Sequence, residues 1–109
     1  MDKIKNIEMS QALNLVNLVE YQVGKVISTT FAQNDAVSIT LFAFSKGEGI
    51  STHAASGDAM VYMLDGQAEI TIGNEKINAE QGQVIVMPAN VPHGLVATDN
   101  FKMLLVVVR

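Results

Sequence analysis

The sequence predicts an all-β domain, a sandwich or barrel of antiparallel strands, and three observations predict it. Short runs rich in β-branched and aromatic residues, such as 26–33 and 36–44, alternate with turn residues. Turn signals recur every eight to twelve residues from position 34 onward. That rhythm belongs to strands joined by tight turns and not to strands alternating with helices. The chain has 109 residues, 49% apolar and 17% charged, enough for one globular core and not two. A single domain over 1–109 is the expectation.

The elements follow in order. Residues 10–18 are the one helical candidate. Ser10 is placed to cap it, and Leu13, Leu15 and Leu18 form a partial apolar stripe, so a short helical turn precedes the strands. Residues 26–33 and 36–44 are two antiparallel strands joined by the turn pair Asn34 and Asp35. Residues 60–64 and 68–72 flank Asp65 and Gly66, which read as a hairpin turn. Gly73 and Asn74 then turn the chain into a shorter, more polar strand at 75–79. Residues 84–87 stop at Pro88, which has no N–H to give to a ladder. Residues 101–108 are the last strand, and their 103–108 part has no polar alternation. A strand apolar on both faces needs cover on both. One face fills the interior; the other calls for a second subunit or the N-terminal segment. A homodimer is the preferred reading, since it also protects strand edges.

Charge and composition narrow the partners. A net charge of −4 argues against a nucleic-acid partner, which favours a basic face, and against a polybasic membrane anchor. Cysteine is absent, which removes disulfides, thiolate metal sites and a cysteine nucleophile. No apolar stretch reaches signal-peptide or membrane-span length. A soluble, cytoplasmic protein is expected, with no nucleic-acid or membrane partner.

The chain's only two histidines, His53 and His93, each stand in a spaced glycine and proline frame. The first frame reads GEGISTHAASGDA over 47–59 and closes at Gly66; the second reads GQVIVMPANVPH over 82–93. These frames resemble the two motifs of the cupin superfamily, small RmlC-like barrels that often hold a divalent metal in the barrel mouth. The resemblance covers about residues 36–109, with motif 1 at about 47–66 and motif 2 at about 82–97. It implies an antiparallel jelly roll, the double-stranded β-helix. It also implies ligand positions: His-x-His followed four residues later by Glu or Gln, then a second-motif His. His53 and His93 match. Ala55 stands at the second position and Ala59 at the carboxylate position. Asn90 replaces a family Gly and Ala97 a family Asn.

On a strand, Ser51, His53 and Ala55 share a face, and in the cupin reading that face is the barrel interior. Imidazole pairs suit transition metals, so Fe, Zn, Cu, Ni and Mn are the ions to consider. Asp58 is the nearest carboxylate and would complete a two-His-one-carboxylate set, although strict alternation points it away from Ala59. Its other reading is a turn residue. Met63 shares the parity of Ala59, and Met87 lies just before Pro88; a thioether here is a core filler or a soft ligand suited to Cu(I). Tyr62 falls on the outer face.

The two alanines leave a roomier, more apolar cavity, with Ser51, Ala55, Ala59, Met63 and Met87 as its expected walls. Arg109 is the only arginine and no lysine lies inside either frame, which disfavours an anionic ligand and favours a neutral small molecule. Three functions stay open. The first is binding of a neutral small molecule beside an incomplete two-His metal site. The second is a metal-dependent enzyme of dioxygenase or isomerase type, for which open coordination positions are useful. The third is a structural or assembly module without a ligand. No nucleophile–base pair or phosphate loop is present, so no catalytic residue is assigned.

Overall fold

The computed structural model describes residues 3–109; Met1 and Asp2, the start of the domain expected over 1–109, lie outside the described residues. Nine strands follow one another: β1 (Val26–Gln33), β2 (Val37–Phe44), β3 (Gly49–His53), β4 (Asp58–Asp65), β5 (Gln67–Ile72), β6 (Glu75–Glu80), β7 (Val84–Met87), β8 (His93–Ala97) and β9 (Phe101–Val108). They form a five-stranded sheet, β1-β2-β9-β4-β7, and a four-stranded sheet, β3-β8-β5-β6, antiparallel throughout. This is the jelly roll expected. No described helix is long and apolar enough to cross a membrane.

Period-two patterning sets the faces. Along β4, Ala59, Val61 and Met63 are buried while Asp58, Met60 and Tyr62 are exposed. The main core lies between the sheets, with Phe44, Val61, Met63, Ile70, Phe101 and Met103 inside it. Phe44 and Phe101 face each other in register on β2 and β9 and stack with ring centroids 4.6 Å apart.

The turn between β1 and β2 forms as its residues dictate: Asn34 Oδ1 accepts from the N–H groups of Ala36 and Val37 at 2.8 and 2.9 Å. Gly73 and Asn74 likewise close the β5–β6 hairpin, with Gly73 at φ 58°. Asp65 and Gly66 do not make a hairpin. β4 and β5 lie in different sheets, and the pair turns the corner between them. Gly66 has φ 73°, and a Cβ there would overlap the Asn100 carbonyl oxygen, so glycine is required by a close backbone approach. β3 and β8 are the two strands that propensity alone did not delimit.

The helical turn is confined to a 3₁₀ turn at Leu15–Asn17. Ser10 does not cap it: Asn14 holds that position, and Ser10 sits at φ 60°. Leu13 is exposed, whereas Leu15, Leu18 and Val19 turn onto the outer face of the five-stranded sheet. There they form a second apolar cluster with Phe31, Leu41, Ala43 and Leu104. The N-terminal segment thus covers part of the outer face of β9. Lys102, also on that face, is buried; its Nζ donates to the Val16 carbonyl at 2.8 Å and sits 4.8 Å from the centre of the Tyr21 ring.

Tyr21 in turn donates to Asp65 Oδ2 at 2.6 Å. Burial, then the hydrogen bond and negative charge of Asp65, push its phenol well above the usual tyrosine range. The folded state therefore favours the neutral phenol. That stability is present below the unfolded pKa of about 10 and is lost as pH rises above it. Melting temperatures compared at about pH 8 and about pH 11 should fall more steeply for the wild type than for Tyr21→Phe; equal slopes would show that the pair is not coupled to folding.

Candidate functional site

Both histidines enter from neighbouring strands of the smaller sheet, where His53 on β3 pairs with His93 on β8. The register carries a bulge: Ile50 faces Leu95 and His53 faces His93, so β3 takes three steps where β8 takes two. The extra residue reverses the parity. Ile50 and His53 turn inward, and Ser51 does not; it is exposed and outside the cavity, contrary to the alternation argument. Gly94 makes room for the bulge, since a Cβ there would lie 3.0 Å from the Ile50 carbonyl oxygen.

The backbone fixes both rings. His53 Nδ1 lies 3.0 Å from the Ser51 carbonyl oxygen, and His93 Nδ1 lies 3.0 Å from that of Val91. A carbonyl only accepts, so in each neutral ring Nδ1 carries the hydrogen and Nε2 keeps its lone pair. No described protein group bonds either Nε2. The ring centroids are 4.6 Å apart in an edge-on arrangement. His93 is buried and His53 is exposed, so the pair runs from the interior to the mouth.

Beneath them is a cavity of about 150 Å³. Ala55, Ala59 and Met87 line it, with Ile50, Leu95, Met103, Leu105 and Val107 as further walls. None of these five was assigned from sequence, although the three on β9 carry a signal. Their signal is the parity of β9: Val107 pairs with Ala59, so alternate residues from Phe101 onward face inward. No charged side chain lines the cavity.

Two expected site residues lie elsewhere. Met63 is fully buried but belongs to the packed core, four residues beyond Ala59 or about 13 Å along β4. Asp58 is exposed, and its Oδ1 accepts from the N–H of Ala89 at 2.7 Å. It ties the start of β4 to the turn after β7, as alternation dictates. In the same turn Asn90 sits at φ 65° and donates its N–H to the Ala55 carbonyl at 2.7 Å, fastening the rim. Among the described residues no three of His, Cys, Asp or Glu come together in a way that could hold a metal. The expected set of His53, His93 and Asp58 is therefore not assembled. Structural zinc takes four donors and catalytic zinc three plus water; two imidazole nitrogens with alanine at positions 55 and 59 do not fit such a divalent centre.

A family model described as the cupin domain matches residues 40–109. The chain is similar to a conserved protein of unknown function from Streptococcus pyogenes, with 45% identity and a TM-score of 0.98 over 100% of this chain and 96% of that one. It is also similar to a cupin superfamily protein from Desulfitobacterium hafniense, with 34% identity and a TM-score of 0.93 over 98% of each chain. An uncharacterized protein of Streptomyces coelicolor is 30% identical over 63 residues, 58% of this chain; the match spans 60% of that protein's length.

Proposed function

Because the chain belongs to the cupin family, we propose that it binds a compact, neutral, protic small molecule within the barrel, held by His53 and His93. One observation carries this reading. Both Nδ1 atoms are committed to backbone carbonyls, so two Nε2 acceptors remain in an otherwise apolar cavity. A guest with an O–H or N–H satisfies an acceptor, and an apolar body fills the rest. The volume of about 150 Å³ sets the size, since an apolar cavity of that volume elsewhere takes a benzene-sized guest. An uncharged lining disfavours ionic ligands, which need a charged clamp.

Phenol is the direct probe, and toluene is its control of equal shape without a donor. Phenol at about 100 times its Kd should stabilise the metal-free protein by about 2.7 kcal/mol, read as a rise in Tm. Toluene should bind about fivefold more weakly, the worth of one net hydrogen bond of about 1 kcal/mol. Equal responses to the two, or none to phenol, would retire the reading.

The same reading includes a homodimer. Met60, Tyr62, Val84, Val86 and Val108 are exposed on the outer face of β4, β7 and β9, with Met60 opposite Val86 and Tyr62 opposite Val84. A mainly apolar patch crossing three strands, with Asp58 at its edge opposite Val108, is compatible with itself and larger than scattered surface residues require. Light scattering should return twice the 11.7 kDa chain mass, and Tyr62→Glu/Val86→Glu should return the single mass. A wild type that is already monomeric at tens of micromolar would exclude it.

A further inference from the structure

The polar side chains of the cavity stand on one wall. His53 and His93 are register partners on β3 and β8 of the smaller sheet, with ring centroids 4.6 Å apart. The larger sheet supplies the facing wall, where Ala59, Met87, Leu105 and Val107 offer nothing stronger than a thioether as an acceptor. Each Nδ1 gives its hydrogen to a backbone carbonyl, Ser51 for one ring and Val91 for the other. Neither neutral ring can turn its Nε2 into a donor without losing that bond. The wall therefore presents two acceptors side by side.

A guest that fills the barrel shuts water away from both nitrogens. With a single donor it leaves one of them unpaired, and an acceptor buried without a partner costs free energy. A second donor removes that cost if it lies on the same edge of the guest. Each hydrogen bond supplies roughly 3 Å of reach, so donors on adjacent atoms bridge two rings this close. A second donor on the far edge faces the apolar wall and is itself stranded. We infer that the barrel selects compact molecules with two vicinal protic donors, O–H or N–H groups on adjacent atoms, one for His53 Nε2 and one for His93 Nε2. The inference rests on the small-molecule reading and narrows its ligand class.

Catechol and hydroquinone test it, since these isomers differ only in where the second hydroxyl stands; phenol carries one. The three are titrated under argon into the untagged, metal-free full chain, isotopically labelled at its histidine nitrogens for NMR. At about pH 8 imidazole is neutral. The chain has only two histidines, so each Nε2 gives its own signal. Catechol should shift both Nε2 signals and bind about fivefold tighter than phenol, the factor that one further net hydrogen bond supplies. Hydroquinone should bind more weakly than phenol. In His53→Leu, at an exposed position, catechol and phenol should converge in affinity. Hydroquinone binding as tightly as catechol overturns the pairing, as does a catechol complex in which only one Nε2 signal moves. So does a preference for catechol that His53→Leu retains. A phenol response with no gain for catechol sinks the vicinal class alone; no response to any of the three sinks the small-molecule reading with it.

Discussion

Ala55→His/Ala59→Glu is expected to turn the barrel into a tight divalent-metal binder. Both alanines line the cavity with His53 and His93, so the variant supplies two nitrogens, a third imidazole and a carboxylate to one volume. Four donors are what Zn(II) accepts in a closed site. Ala59 is only 5% exposed, so the new carboxylate starts without hydration or a partner. An unpaired buried charge costs about 3–5 kcal/mol, a large part of a typical domain's stability. The metal-free variant should therefore melt well below the wild type. One equivalent of Zn(II) or Ni(II) should restore it, with stoichiometric metal retained through gel filtration. The same ions should leave the wild-type Tm in place. A well-folded variant that retains no metal would mean that positions 55 and 59 do not converge with the histidines.

The second large effect belongs to the core. Phe101 is fully buried, stacked on Phe44, and lies at the first residue of β9 beside the Gly66 corner. Phe101→Ala removes the ring from both the inter-sheet core and the stack, and substitutions of this kind cost about 3–5 kcal/mol. With urea slopes of about 1–3 kcal/mol per molar, the midpoint should fall by roughly 2 M. Phe101→Leu should recover more than half of that loss. A shift below 1 M for the alanine variant would show that the ring is not where the core needs it.

How much of this was legible in the sequence differs by element, and for physical reasons. β1, β7 and β9 have the bounds their patterns imply because β-branched runs ending in turn residues, or at Pro88, leave little choice. The Asp65–Gly66 pair misled because turn chemistry reports a reversal or corner without saying which sheet receives the next strand. Gly66 is needed for its closeness to Asn100, a contact 34 residues away that no local pattern encodes. At the site, His53, His93, Ala55, Ala59 and Met87 line one cavity, a grouping that came from the family resemblance and not from local spacing. Ser51 was misplaced because a bulge adds one residue and flips parity; its only trace in the sequence is Gly94 on the partner strand. Met63 had the correct face and the wrong depth, since alternation gives a side but no distance along the barrel. Part of the cover of β9 comes from the N-terminal segment, which lies over Lys102 and Leu104, while Val108 remains exposed.

The position of β9 has a consequence for how the protein is made. It lies between β2 and β4 in the larger sheet, although more than half the chain separates β2 from it. As residues are added during synthesis, β2 and β4 have each other's company but no shared neighbour, and the apolar faces they are to bury stay open. Long-range pairing of this kind is slow and leaves strand edges exposed while it waits. The larger sheet can close only after residue 108 has left the ribosome. Interruption of translation anywhere before that point should yield an aggregation-prone fragment and not a smaller folded unit.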